Sequence, residues 1–165
     1  MTAILARRTM LAGLAALAIP APRTPAEAGQ VRTALPSLSV WRDPYCGCCG
    51  AWVAHMRAAG FTVHDRIVAS LAPIRQRLGT PSDLLSCHAA EIGGYALEGH
   101  VPALAVMRLL RERPAVLRGL AVPGMPIGSP GMESPGTPPE RYDVIAFDAA
   151  GRHAVFMRFL GGDPA

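Results

Sequence analysis

Three of the four cysteines of this 165-residue chain lie within four consecutive positions, at Cys46, Cys48 and Cys49. Residues 37–41, just before them, alternate polar and apolar side chains as a β-strand does. From Cys48 onward apolar residues recur at helical spacing as far as Gly60, a residue type that commonly ends helices. The pattern therefore predicts a strand, a cysteine loop and a helix, with the thiols at the helix N-terminus.

Short strand and helix patterns alternate along the rest of the chain. Strand patterns cover residues 61–68, 88–92, 95–98, 142–147 and 153–159, and helical patterns cover residues 71–78 and 101–113. Gly93-Gly94 is a typical two-residue hairpin turn. Residues 119–139 are rich in glycine and proline and lack periodicity, which predicts a long loop, either ordered or disordered, of the kind that is commonly functional. This order predicts an α/β, thioredoxin-like single domain, with the hairpin at residues 88–98 as an insertion.

The beginning of the chain has the layout of a secretory signal peptide. Arginines at positions 7–8 precede an apolar run over residues 10–19, and residues 26–28 give the small-x-small pattern that signal peptidase cleaves. The apolar run is about half of the roughly twenty residues that span a bilayer, so no permanent membrane anchor is expected. We expect an exported protein with a cleaved signal peptide at 1–28 and one mature domain at 29–165. The arginine pair is also compatible with the twin-arginine route.

The charged residues of the chain do not form the basic cluster that is typical of nucleic-acid-binding proteins. Sixteen basic residues stand against twelve acidic ones, and three of the basic residues belong to the predicted leader. The remainder form no basic run, so nucleic acid is not expected among the partners.

Thiols at this density are compatible with four kinds of site. Cys48 and Cys49 are adjacent and do not easily pair, because disulfides require Cα atoms about 4.4 to 6.8 Å apart. Soft thiolates select Cu(I) and Zn(II), which favours a metal cluster. Cys46 and Cys49 also have the C-x-x-C spacing of thiol–disulfide oxidoreductases. A tetrahedral zinc site and structural disulfides are the other two alternatives, although zinc sites usually take two cysteine pairs.

Four blocks of sequence carry a family resemblance. They are Asp43-Pro44-Tyr45-Cys46-Gly47-Cys48-Cys49-Gly50-Ala51-Trp52, Ser86-Cys87-His88, Glu98-Gly99-His100-Val101-Pro102-Ala103, and residues 119–133. Together they resemble the CopG-type copper-resistance proteins, a family also known as domain of unknown function 411, over about residues 40–159. The resemblance implies a periplasmic protein with a thioredoxin-like fold that binds a cluster of copper ions and helps bacteria to survive copper.

The resemblance also assigns ligands and partners. It implies that Cys46, Cys48, Cys49 and Cys87 are thiolates that bridge several Cu(I) ions. It implies copper ions and periplasmic copper-handling proteins as partners, and interconversion of Cu(I) and Cu(II) as an activity. We therefore predict primarily a metal-binding protein of copper resistance, with no catalytic residue assigned and the question of a copper oxidoreductase open. The alternative is a thiol–disulfide oxidoreductase that uses Cys46 and Cys49.

Two histidines and two methionines are further ligand candidates. His88 directly follows Cys87 and either binds metal, orients a ligand, or makes an ordinary core hydrogen bond. His100 either lines the same site or caps the next helix. Met125 and Met132 lie in the predicted loop, where a thioether is a soft ligand for Cu(I) and the alternative is packing over the core.

Overall fold

The computed structural model of the protein describes residues 35–165. The predicted signal peptide at 1–28 and the predicted start of the mature domain at Gly29 lie outside the described residues. Between residues 35 and 165, no helix has the length and apolar character needed to cross a membrane.

Residues 35–165 form eight strands, three α-helices and one 3-10 turn. The strands are β1 (Leu38–Arg42), β2 (Val63–Ile67), β3 (His88–Ile92), β4 (Tyr95–Glu98), β5 (Leu117–Ala121), β6 (Arg141–Asp148), β7 (His153–Leu160) and β8 (Asp163–Pro164). The helices are α1 (Gly47–Ala58), α2 (Ala72–Leu78) and α3 (Ala103–Glu112), and the 3-10 turn is Ser82–Leu84. The α/β class is therefore confirmed.

All eight strands join one sheet in the order β2-β1-β3-β4-β5-β6-β7-β8. The pairs β1–β2 and β4–β5 are parallel, and every other neighbouring pair is antiparallel. A parallel pair needs a crossover connection, and here α1 crosses from β1 to β2 while α3 crosses from β4 to β5.

The helices cover both faces of the sheet. Helices α1 and α3 cover one face, where Trp52 of α1 packs in the main core with Val40 of β1. Helix α2 covers the other face, where Leu78 belongs to a second core with Trp41 and Phe147. Val40 and Trp41 enter different cores because successive side chains of a strand point to opposite faces.

Two local predictions are confirmed at their turns. Helix α1 ends with the amide of Gly60 donating to the carbonyl of Arg57 at 2.9 Å and that of Phe61 donating to Met56 at 3.1 Å, which is a Schellman cap. In the β3–β4 hairpin, Gly93 and Gly94 have φ values of 56° and 88°, and a type I′ turn requires both to be positive. The hairpin is paired to β1 on one side and to β5 on the other, so it is an integral part of the sheet.

Strand β5 was not predicted, because residues 119–139 were all expected to form a loop. Gly119 weakens the strand pattern at its centre, yet a Cβ there would lie 2.2 Å from the carbonyl oxygen of Ala96 and 2.7 Å from the ring of Phe147. Glycine is therefore needed where β4 and the Phe147 ring approach β5 closely. The loop itself covers residues 122–140.

Candidate metal centre

Three strand ends bring the predicted site residues together. Strands β1 and β3 are antiparallel with Arg42 opposite His88, so the end of β1 meets the start of β3. Strand β4 returns antiparallel to β3, so the residues after β4 arrive at the same place. The cysteine triplet after β1 therefore lies beside Cys87, which precedes β3, and His100, which follows β4.

The four cysteines form one cluster. Cys46 is the N-cap residue of α1, and Cys48 and Cys49 lie in its first turn. The sulfur atoms of all three and of Cys87 lie within 4.8 Å of one another. The Cys46 and Cys48 sulfurs are 3.5 Å apart, and the Cys49 sulfur is 3.6 Å from the carbonyl oxygen of Cys87. Four soft donors at this spacing can hold a thiophilic metal ion.

The cluster contains one disulfide and two free thiols. Cys46 and Cys49 are disulfide-bonded with Cα atoms 5.5 Å apart, whereas Cys48 and Cys87 are free. In this oxidation state only the two free sulfurs can become thiolates. Reducing the disulfide provides all four thiols.

Cys87 also joins two histidines. Its sulfur lies 3.0 Å from Nε2 of His100 and 3.3 Å from Nδ1 of His88. His100 Nδ1 lies 2.8 Å from the carbonyl oxygen of Pro130, which can only accept a hydrogen bond. Nδ1 of His100 therefore donates, and in a neutral ring Nε2 directs its lone pair at Cys87. A carbonyl that fixes the tautomer in this way is typical of metal-binding histidines.

Burial keeps these groups uncharged. It lowers the pKa of His88 well below the usual histidine value, and nearby His100, Arg75 and Arg42 lower it further. Burial also raises the pKa of the Cys87 thiol to about 12, with Cys48 adding to the effect. The metal-free thiol of Cys87 is therefore protonated at neutral pH, and metal binding must displace that proton.

His88 has a buried nitrogen with no partner among the described residues. Its side chain is fully buried, its ring centroid lies 4.4 Å from that of Trp52, and no protein group bonds Nε2. Buried polar atoms are rarely left unpaired in native proteins. The ring nitrogen that faces the cysteine cluster is the other one, Nδ1, so Nδ1 is the His88 atom placed to act as a ligand.

The loop at 122–140 lies against the first turn of the cysteine helix. A Cβ on Gly131 would lie 2.6 Å from the amide nitrogen of Trp52 and 2.9 Å from the carbonyl oxygen of Cys48. The predicted ligand Met132 follows Gly131 and is half-buried, whereas Met125 is 52% exposed. The loop thus reaches the site, and whether its thioethers bind metal stays a prediction.

The site also depends on residues to which the sequence analysis assigned no role. The carboxylate of Glu98 accepts hydrogen bonds from Arg75 and from the amide of Ser86, the residue before Cys87. A fully buried glutamate on an otherwise apolar strand is the one local feature that could have drawn attention to this network.

Comparison with known proteins gives two findings and one absence. The family described as a protein of unknown function, DUF411, matches residues 84–132. The chain is similar to solved structures of copper resistance protein CopG in two forms. Form 1 is 40% identical over 77% of this chain and 99% of its own, with a TM-score of 0.71. Form 2 is 40% identical over 76% and 98%, with a TM-score of 0.70. No curated protein matches the chain.

Proposed function

Because the chain belongs to the CopG family of copper resistance proteins, we propose that it is an exported periplasmic protein that holds Cu(I) in a cysteine-thiolate cluster. In this role it contributes to copper resistance and receives or delivers copper through other periplasmic copper-handling proteins. The proposal rests above all on the four cysteine sulfurs, which lie within 4.8 Å of one another at the N-terminus of α1.

The donor set suits copper in its reduced state. Thiolate sulfur is a soft ligand that selects Cu(I) over hard cations, and a thiolate can bridge two ions. Cys87 belongs both to the four-cysteine cluster and to a group with His88 and His100. We assign both histidines as additional ligands or as groups that orient Cys87.

A redox role is compatible with the disulfide. Reducing the Cys46–Cys49 disulfide takes two electrons, which two Cu(I) ions supply as they become Cu(II). In the reverse direction the two thiolates reduce two Cu(II) ions and form the disulfide again. One disulfide per two copper ions balances the exchange, and this is the form of Cu(I)/Cu(II) cycling that we propose.

We also propose that the elements from β1 to α3 form a thioredoxin-like unit. Its support is the order strand, helix, strand, helix, antiparallel hairpin, helix, with β1 and β2 parallel and β3 antiparallel to β1. In that interpretation the β3–β4 hairpin belongs to the unit and replaces the insertion expected at residues 88–98, and the chain from β5 onward extends the unit with the loop that contacts α1.

Reduced protein should bind more than one Cu(I) per chain. Three thiols in one turn plus Cys87 can bridge ions instead of chelating a single one. The measurement is the metal-to-protein ratio by elemental analysis, after anaerobic reduction, loading with Cu(I) and removal of unbound metal. A chain that takes up one zinc ion and no copper under these conditions is a closed zinc site, and the copper proposal is then wrong.

The two methionines should affect the oxidation rate and reduction potential of the bound copper without being needed to bind it. Replacing Met125 and Met132 by Leu keeps volume and apolar character but removes sulfur. We expect the double variant to fold, to retain thiolate-bound copper and to oxidise faster in air, because thioethers favour Cu(I). Oxidation rate and reduction potential are compared with wild type at equal copper loading. If both match wild type, the two methionines are packing residues.

A thiol–disulfide oxidoreductase is the second candidate, and the Cys46–Cys49 disulfide favours it. Cys46 and Cys49 have C-x-x-C spacing at the N-terminus of α1, which is the arrangement that such enzymes use. This candidate gives Cys48 and Cys87 no part in the chemistry, which is the difference that mutagenesis can measure.

A further inference from the structure

We infer that the buried Arg75–Glu98 ion pair is the positioning device that holds Cys87 in the copper site. The inference rests on the proposed copper-binding function and extends it to two residues on the opposite face of the sheet. Arg75 lies in α2 and Glu98 ends β4. Both act through the backbone of the residue that precedes Cys87.

The ion pair hydrogen-bonds both backbone polar groups of Ser86, the amide and the carbonyl. The fully buried Glu98 carboxylate accepts from the Ser86 amide at 2.8 Å and from Arg75 at 2.6 Å and 3.1 Å. The same Arg75 guanidinium donates to the Ser86 carbonyl oxygen at 2.5 Å. That carbonyl lies in the same peptide plane as the amide of Cys87. The ion pair therefore fixes this plane, and with it the direction in which the Cys87 side chain points.

Further contacts tie the same segment to the rest of the site. The backbone carbonyl of Glu98 accepts from the amide of Val122 at 3.0 Å, where the loop begins. The Ser86 hydroxyl donates to the carbonyl of Gly124 in that loop. Glu98 also lies two residues before His100, whose ring contacts Cys87. Glu98 thus holds the segment before Cys87 through its carboxylate and the start of the loop through its backbone carbonyl, and it lies close in sequence to His100.

Stability alone is a poor explanation for this pair. A buried ion pair loses hydration at both charges, and well-packed apolar residues in its place are often neutral or stabilising. Helix α2 and strand β3 carry a second pair, Arg77–Glu91, which is partly exposed and is joined by one hydrogen bond of 2.9 Å. Within residues 35–165, no hydrogen bond of its side chains reaches the segment around Cys87, so it serves as a control for the loss of an ion pair between the same helix and the sheet.

Glu98→Gln removes the charge that pairs with Arg75 while keeping size and one acceptor oxygen. We expect this variant to bind Cu(I) about 10- to 100-fold more weakly than wild type, the range typical of residues that orient a ligand. Glu91→Gln should match wild type. Affinity is measured by competition with a Cu(I) chelator, and thermal unfolding is measured alongside for both variants.

A second readout needs no copper. In a Cys48→Ser background with the Cys46–Cys49 disulfide intact, Cys87 is the one free thiol of the chain. Glu98→Gln should raise its rate of alkylation by iodoacetamide about tenfold, because the segment around Cys87 opens more often. Arg75→Lys keeps the charge but loses the guanidinium fork, and should raise the rate as well if Glu98→Gln does not fold.

The outcomes separate the two proposals. Wild-type protein that fails to bind Cu(I) overturns the proposed function, while the alkylation rate still tests the positioning role. Affinity and alkylation that match wild type in the Glu98 and Arg75 variants overturn the positioning role. Equal effects of Glu98→Gln and Glu91→Gln overturn it too, because they indicate a general loss of stability.

Discussion

Replacing Cys48 by Ser should abolish most copper binding while leaving the Cys46–Cys49 disulfide able to form. Cys48 is one of two free thiols, and its sulfur lies 3.5 Å from that of Cys46. Serine keeps the shape but offers a hard oxygen in place of a soft sulfur. We expect copper content after anaerobic Cu(I) loading to fall about tenfold or more, since a cluster that loses a bridging ligand loses more than one bond.

The same variant distinguishes the two candidate functions. Ala51→Ser adds a hydroxyl at an exposed position of the same helix and should bind copper like wild type. Both variants are also tested for reduction of insulin disulfides. If Cys48→Ser retains full copper content and wild-type insulin reduction, a thiol–disulfide oxidoreductase describes the protein better. The proposed copper cluster, in which Cys48 is a ligand, is then wrong.

Gly131→Ala should separate the loop from the cysteine helix. Gly131 has φ of +86°, and its Cβ would meet backbone atoms of Trp52 and Cys48 at 2.6 Å and 2.9 Å, so the backbone must move. Alanine costs about 1–2 kcal/mol for the left-handed conformation and about 1–3 kcal/mol more for overpacking. Because His100 bonds the carbonyl of neighbouring Pro130, the movement should also release its ring.

Gly136→Ala is the matched control for this steric effect. Gly136 lies in the same loop with φ of +79°, but no atom lies within 4 Å of its would-be Cβ. The two variants share the conformational cost, so their difference in unfolding free energy by urea titration measures the close approach. We expect Gly131→Ala to lose copper faster to a chelator and Gly136→Ala to match wild type. Equal copper loss from both means that the loop does not protect the site.

Local sequence patterns predicted those elements whose ends are set by residues at the ends themselves. Helix α1 runs from the cysteine triplet to a cap at Gly60, and the β3–β4 hairpin turns at Gly93-Gly94. Strand β5 was not predicted because Gly119 looks like a loop residue. Its cause is the approach of Ala96 and Phe147, which are distant in sequence, and no pattern within β5 reveals it.

The same distinction holds at the site. The cysteine triplet could be found because its members are neighbours in sequence. Cys87, His88 and His100 were named from the resemblance and from residue type, and the fold places all three together. The ion pair of Arg75 with Glu98 and the carbonyl of Pro130 could not be predicted, since each acts through a contact between segments far apart in the chain.

The uneven spacing of the cysteines along the chain affects how copper couples to folding. Three thiols remain neighbours in an unfolded chain, whereas Cys87 and His100 join them only when β1, β3 and β4 pair. A ligand stabilises a fold only by the difference between its affinities for the native and unfolded states. The triplet alone can retain Cu(I) in the unfolded chain, so tight binding and strong thermal protection need not accompany each other. In that case copper binds the cysteine triplet before the chain folds, and folding then adds Cys87 and His100 to its coordination.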